Sequence, residues 1–167
     1  MFKINYRITK PAYEDFLGQE GFFQIVCNKH SYGDFYSKEL EGVMPTISVY
    51  DCFERYLRIL HKLESSSCVY LSDVDSFNLW IKFKRINEDV LEISLVESDK
   101  LDNSGDIEFE ILDFCYGEWY KETILYKQFK EEIIKCSIEY LNKLKEEGSE
   151  KINILNLDNK IKYFYNN

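Results

Sequence analysis

The stretch from Leu79 to Val96 alternates apolar and polar residues on both sides of a short polar sequence, Asn87-Glu-Asp. Two such runs joined by a turn predict an antiparallel β-hairpin, because successive side chains of a strand point to opposite faces. One face should be apolar and carry the side chains of Ile81, Phe83, Leu91, Ile93 and Leu95. We therefore expect an antiparallel sheet that is covered on one face and open to solvent on the other.

Other segments show the same short pattern of apolar residues. Residues 3–9 predict a first strand that ends before Pro11, and Phe22–Cys27 followed by Tyr32–Tyr36 predicts an aromatic hairpin. The sequence Ile107-Glu-Phe-Glu-Ile predicts a strand whose apolar positions are buried, while its two glutamates share an acidic side. These segments supply further strands for the sheet.

Two segments have the apolar spacing of amphipathic helices. The first begins at Val49, where the hydroxyl of Ser48 can cap the helix, and it ends at Ser65-Ser-Ser. The second is predicted to run from Glu122 to Glu147 and to end at Gly148, a residue type that commonly terminates helices. Each helix should bury one apolar stripe against the sheet.

The last part of the chain favours a terminal hairpin, formed by Ile152–Leu157 and Lys160–Tyr165 around Asp158-Asn159. Alternatively, Ile152–Leu155 could prolong the preceding helix. Because the predicted strands cluster between two helices without regular β-α-β alternation, we expect an α+β fold, with a mainly antiparallel sheet packed against two long amphipathic helices. A length of 167 residues indicates a single domain, 1–167.

The charge composition argues against several classes of partner. The chain has 30 acidic and 21 basic residues and a formal charge of −9, so it repels phosphate backbones and anionic membranes. Its N-terminus lacks the apolar run of a signal peptide, and no stretch approaches the ~18 apolar residues of a membrane span. Five widely spaced cysteines, an odd number, fit a reduced protein. We therefore expect a cytoplasmic protein without nucleic-acid or membrane partners.

Most of the charge lies in residues 97–122, which we call the acidic segment. It contains nine carboxylates and two lysines, a net charge of −7. Aromatic residues edge these carboxylates in a loop opened by Gly117, and this combination is common among anchors of protein interfaces. The residues predicted to bind a basic protein partner are Asp99, Asp102, Asp106, Glu108, Glu110, Asp113, Tyr116, Glu118, Trp119 and Tyr120.

Two other interpretations of the acidic segment stay open. In the first, it is a solvated loop and edge strand whose charges simply prevent association between sheets. In the second, the sequence from Asp99 to Glu108 superficially suggests a calcium loop. With Gly105 at position six of an EF-hand, however, the charged end positions fall on Lys100 and Ile111, so that pattern fails.

The chain carries no catalytic signature. Cys27-Asn-Lys-His30 has the spacing of half a zinc site, but the only other histidine is His61 and no second pair exists. As a nucleophile pair, Cys27 and His30 would point to opposite faces of a strand unless the turn redirects His30. Glycine motifs that cradle phosphates or dinucleotides are absent. We expect no catalytic residue, no bound metal and no cofactor.

The order of the elements resembles that of a known group of proteins. The relevant features are the aromatic hairpin Gly21–Tyr36, the helix from Val49, the hairpin with Trp80-Ile-Lys-Phe, and the Trp119 region before a long helix. In this layout the chain resembles small bacterial immunity proteins, which are cytosolic antidotes encoded beside polymorphic or contact-dependent toxins. The resemblance implies a non-enzymatic protein that binds one cognate toxin domain and blocks its active site or substrate groove. An acidic surface would suit a basic, nucleic-acid-degrading toxin.

A competing hypothesis is a small-ligand-binding module or a small enzyme, with a pocket between the sheet and the helices. His30 or Cys27 would then lie near that pocket. A pocket lined by either residue would favour this hypothesis, and a closed apolar interior would remove its motivation. The sequence indicates no oligomeric state.

Overall fold

The computed structural model describes residues 1–10, 17–73 and 75–166. Within these ranges the strands are β1 (Phe2–Ile8), β2 (Glu20–Cys27), β3 (His30–Asp34), β4 (Ile47–Ser48), β5 (Cys68–Ser72), β6 (Leu79–Arg85), β7 (Val90–Glu97), β8 (Ile107–Glu108), β9 (Cys115–Tyr116) and β10 (Glu122–Leu125). The helices are α1 (Val49–Ser65), α2 (Tyr126–Glu147) and α3 (Lys151–Asn166). The described strands pair in antiparallel fashion. The fold is α+β, as the sequence predicts.

The chain divides into two compact units, each of which is described by itself. The first unit consists of Met1 and Arg58–Lys130, and the second consists of Phe2–Leu57 and Glu131–Asn167. The boundaries fall inside α1 and α2, so each of these helices contributes residues to both units. That the whole chain forms a single domain stays a prediction.

The sheet of the second unit contains β1, β2 and β3 in that order, with β4 also paired to β2. Asn28 and Lys29 form the turn between β2 and β3, and Asn28 has a left-handed φ of 55°, which asparagine tolerates. Phe53 of α1 stacks on Tyr140 of α2 with ring centroids 4.7 Å apart. The predicted first strand and aromatic hairpin are thus confirmed. Pro11, the predicted limit of β1, lies outside the described residues.

Helix α1 begins where its capping residue predicts. The Asp51 N–H donates to Ser48 Oγ at 3.1 Å, which satisfies one amide that the first turn leaves without a helical partner. The apolar stripe points inward, since Phe53 and Leu57 are buried. The helix ends at Ser65, as the serine run predicts.

Helix α2 begins at Tyr126 rather than at Glu122, because the residues between them form β10 and pair with β7. Leu125, inside the range predicted to be helical, is instead an exposed strand residue. The end of the helix agrees with the prediction. Gly148 has a φ of 76°, and the Ser149 N–H donates to the Leu144 carbonyl at 3.0 Å, which closes the last turn.

The end of the chain is helical, so the predicted terminal hairpin is wrong. Ile152–Leu155 are helical but belong to the separate helix α3, since residues 148–150 lie between it and α2. Leu157 and Ile161, one helical turn apart, are both buried. Runs of Ile, Leu and Tyr fit a strand as well as a helix, and the burial at a spacing of four residues shows that the helical period prevails.

The sheet of the first unit has the strand order β10-β7-β6-β5-β8, and β9 also pairs with β7. Ile81 lies opposite Leu95, and Phe83 lies opposite Ile93, so the predicted apolar face is confirmed. The Phe83 ring packs 5.4 Å from that of Phe129 in α2. We call this apolar side the first face of the sheet and the opposite side the second face.

Candidate functional site

Part of the second face of the sheet is also covered, which corrects the expectation of a fully open face; Lys84, on the same face, stays exposed. Tyr70, Trp80 and Val96 are buried there as a cluster, and Ile111 and Phe114 of the acidic segment pack against it. The alternation of apolar and polar residues in β6 therefore does not separate a buried side from a solvated one. Part of the acidic segment forms the cover.

Backbone hydrogen bonds attach the acidic segment to β7. The Gly117 N–H donates to the Leu95 carbonyl at 2.9 Å, and the Leu95 N–H donates to the Trp119 carbonyl at 3.1 Å. Near the start of the segment, the Trp80 indole N–H donates to the Ser98 carbonyl at 2.9 Å. The stretch that begins at β9 is therefore bonded to the edge of the sheet, which argues against the interpretation of this part as a solvated loop.

The three aromatic residues predicted as interface anchors differ in exposure. Trp119 is 1% exposed and belongs to the core, so its side chain is not available to a partner. Tyr116 lies at the surface, and Tyr120 is 59% exposed. Only the two tyrosines can serve as the predicted anchors, because Trp119 is part of the core.

The predicted acidic strand is shorter than its sequence suggests. Only Ile107 and Glu108 pair with β5, and Phe109 is exposed although its position in the pattern predicts burial. Glu108 Oε1 accepts a hydrogen bond from the Gly105 N–H at 2.5 Å. The predicted row of carboxylates on one strand face therefore ends at Glu108, whose carboxylate holds the preceding turn.

Asp106 pairs with Arg58 of α1, a residue that the sequence analysis did not identify. Arg58 Nη1 and Nη2 lie 2.7 Å and 3.0 Å from the two carboxylate oxygens, a bidentate geometry. The only sequence signal is the place of Arg58 on the polar side of α1, which does not indicate a partner. Asp106 thus connects the acidic segment to α1.

Lys82 of the second face also contacts the acidic segment. The side chain is buried, and its ammonium lies 4.5 Å from the ring centroid of Phe114, 5.5 Å from that of Tyr116 and 5.7 Å from that of Tyr70. Cations at these distances are attracted to aromatic faces. Burial raises the pKa of the Tyr70 hydroxyl, and Cys68 adds to the rise. Lys82 therefore holds the aromatic side chains of the acidic segment against the sheet.

The aromatic rings form a continuous row from the core to the surface. We call Tyr70, Phe114, Tyr116 and Tyr120 the aromatic row; its successive ring centroids lie 6.1 Å, 5.4 Å and 4.7 Å apart. These spacings are typical of interacting aromatic pairs. Because the buried end of the row is held by the core, the exposed tyrosines have a fixed position.

The outer side of the acidic segment is rich in carboxylates that make no ion pair. Across residues 1–10, 17–73 and 75–166, this holds for six exposed side chains: Glu97, Asp99, Asp102, Glu110, Asp113 and Glu118. This side of the sheet therefore carries a concentrated negative charge that the described part of the protein does not neutralise.

Three apolar side chains emerge beside these carboxylates. Phe77 is 93% exposed, and Leu101 and Leu112 are largely exposed as well. The Lys100 N–H donates to the Phe77 carbonyl at 3.3 Å, and the Ser98 hydroxyl donates to the Leu112 carbonyl, so these loops meet at one end of the sheet. Together with the six carboxylates and the two exposed tyrosines, they form what we call the acidic–apolar surface.

Cys27 and His30 lie opposite each other across the β2–β3 turn, so their side chains share one face; the turn redirects His30, the exception that the prediction allowed. Cys27 is fully buried. Three clefts on the described part of the chain have volumes of about 360, 300 and 620 Å³, and neither residue lines any of them. The described residues also contain no group of three or more His, Cys, Asp or Glu that could hold a metal ion.

No protein-family model, no curated protein and no solved structure matches this chain. Within the described ranges, none of the helices has the length and apolar character needed to cross a bilayer.

Proposed function

We propose that this protein is a non-enzymatic, immunity-type protein that binds a cognate toxin domain in the cytoplasm through its acidic–apolar surface and thereby neutralises it. The contacting side of the toxin is basic, as expected of a nuclease that attracts phosphate groups. The observation that supports this proposal is the presence of carboxylates without ion pairs and exposed apolar side chains on one segment that the sheet holds in place.

The charged and apolar parts of the surface have different roles in binding. The carboxylates attract a basic surface over a distance, which accelerates encounter and aligns the partner. On contact, the partner then excludes water from Phe77, Leu101 and Leu112. Burial of this apolar surface favours binding by about 25 cal/mol of free energy for each Å². A contiguous apolar patch bordered by charges is typical of an interaction site.

The anchoring of the acidic segment favours tight binding. Trp119 is buried in the core, Lys82 lies against the aromatic row, and Gly117 is hydrogen-bonded to β7. A surface that is already ordered loses little conformational entropy when it binds, so more of the contact energy contributes to affinity.

The test uses the protein encoded by the neighbouring gene as the partner, since immunity proteins are encoded beside their toxins. Glu110→Lys combined with Glu118→Lys reverses two exposed carboxylates of the surface. We expect the association rate constant, measured by stopped-flow fluorescence at low salt, to fall at least about tenfold. The difference from the wild type should shrink at high salt, because exposed charges are screened.

A matched control reverses two exposed glutamates outside the surface. Glu88→Lys combined with Glu146→Lys changes the net charge equally and should alter the association rate constant by less than about threefold. Thermal unfolding followed by circular dichroism verifies that both double variants are folded. Equal slowing by the two pairs, or no complex between the wild-type proteins at micromolar concentration, would contradict the proposal.

A further inference from the structure

Lys82 and Lys121 contact the same aromatic row, but they differ in exposure. The Lys121 ammonium lies 5.6 Å from the ring centroid of Tyr116 and 5.1 Å from that of Tyr120. The Lys82 ammonium lies 5.5 Å from the Tyr116 ring. Tyr116 is thus near two cations, of which Lys82 is buried in the core and Lys121 is exposed to solvent.

The backbone places Lys121 beside the exposed tyrosines. Its φ of 54° is left-handed, a conformation that residues with a side chain seldom adopt, and its N–H donates to the Oγ of the fully buried Ser94 at 3.0 Å. A hydrogen bond with the Tyr120 side chain raises the pKa of the Lys121 ammonium. Lys121 is therefore a charged group that occupies the outer end of the aromatic row.

The contact made by Lys121 is weak enough to be exchanged. A cation over an exposed ring contributes roughly a factor of two to five to a binding constant, and exclusion of water increases that factor to about thirty. When a partner covers Tyr120, the contact between its own cation and the ring therefore contributes more binding free energy than is lost when Lys121 leaves the ring. Lys82 is not exchangeable in this way, because its side chain is already buried beneath the acidic segment.

We propose that Tyr116 and Tyr120 form a cation subsite, which Lys121 occupies in the free protein and an arginine of the basic partner occupies in the complex. This inference rests on the proposed function, since it names the partner group that the acidic–apolar surface receives. Arginine fits better than lysine because its planar guanidinium stacks on aromatic rings and can bind a carboxylate at the same time. We assign that carboxylate to Glu118, which is exposed and lies between the two tyrosines in the sequence.

The experiment uses Nα-acetyl-arginine amide as a probe that is independent of the toxin. Titrated against protein with ¹³C-labelled tyrosine rings, the probe should shift the NMR signals of Tyr116 and Tyr120, which Tyr116→Phe and Tyr120→Phe assign. Lys121→Gln removes the resident ammonium and should tighten probe binding roughly two- to fivefold.

The control variant Lys84→Gln removes the same charge from an exposed position of β6 and should leave probe affinity close to that of the wild type. Nα-acetyl-norleucine amide, which lacks the cation, should not shift the two tyrosine signals. Tyr120→Leu, at an exposed position, should abolish the shift at Tyr116 caused by the arginine probe. Absence of the shifts in the wild type, or equal affinities of Lys121→Gln and Lys84→Gln, would overturn the cation subsite.

The cation subsite and the proposed function fail in distinguishable ways. If the probe binds as expected but the neighbouring gene product forms no complex, the immunity-type function is contradicted and the subsite is supported. If charge reversal slows toxin association while Lys121→Gln leaves probe binding unchanged, only the subsite is overturned.

Discussion

The two faces of the sheet in the first unit are built in different ways. The first face consists of apolar side chains from paired strands, such as Phe83 and Ile93. The second face combines the buried Trp80 with several buried polar residues, among them Lys82 at 7% and Ser94 at 0% exposure. Polar residues at alternate positions therefore do not mark a solvated face when another part of the chain provides their partners.

The acidic segment can cover the second face because its own two sides differ. Ile111 and Phe114 pack against the buried cluster of that face, while the carboxylates of the outer side stay in solvent. The same residues that complete the core therefore fix the position of the charged surface. The second face thus contributes both to the stability of the fold and to the proposed binding of a partner, whereas the first face contributes to stability.

The largest expected effect comes from truncating one aromatic residue on each face. Trp80→Ala and Phe83→Ala should each lower the free energy of unfolding by about 3–5 kcal/mol, because both leave cavities in a core. Trp80→Ala also removes the indole that donates to the Ser98 carbonyl. Urea unfolding followed by circular dichroism measures both values. A loss below about 1 kcal/mol for Trp80→Ala would show that the second face is open.

A smaller effect is expected when the buried cation of the second face is replaced. Lys82→Gln should lower the free energy of unfolding by about 1–2 kcal/mol, since it removes the contacts with three rings and buries an amide among them. Lys84→Gln, at an exposed position of the same strand, should change it by less than about 0.5 kcal/mol. Similar values for the two variants would mean that Lys82 does not hold the acidic segment.

The smallest effect is expected for the ion pair between Arg58 and Asp106. Arg58→Met should lower the free energy of unfolding by less than about 1 kcal/mol, because the two side chains are 36% and 37% exposed and solvent screens their interaction. Repeating the urea titration with 1 M NaCl present in every sample should remove most of the difference from the wild type. A loss above about 2 kcal/mol that persists in salt would contradict a screened surface pair.

Local sequence patterns predicted the elements whose determinants are themselves local. The β6–β7 hairpin follows from alternation around one turn, and α1 follows from its Ser48 cap and apolar stripe. The prediction of a terminal hairpin failed because this apolar run fits the period of a strand and that of a helix equally well. Burial of Leu157 and Ile161 favours the helix. The predicted start of α2 was wrong because Glu122–Leu125 pair with β7, a contact that their own sequence does not indicate.

The sequence located the acidic segment but not its internal organisation. Its charge and its exposed tyrosines were visible in the composition of the segment. The burial of Trp119, the pairing of Asp106 with Arg58 and the cover over Lys82 all depend on contacts between residues far apart in the chain. No local period signals such contacts, so a surface anchor and a core residue of the same type look alike in the sequence.

Native-state hydrogen exchange of the Gly117 amide tests most directly whether the acidic segment is part of the sheet. This amide donates to the Leu95 carbonyl, whereas Asn103 lies in an exposed turn of the same segment. Our account predicts that Gly117 exchanges at least roughly a thousandfold more slowly than an unprotected amide, close to the amides of β7, while Asn103 exchanges rapidly. Exchange of Gly117 as fast as that of Asn103 would show a solvated loop and contradict the account.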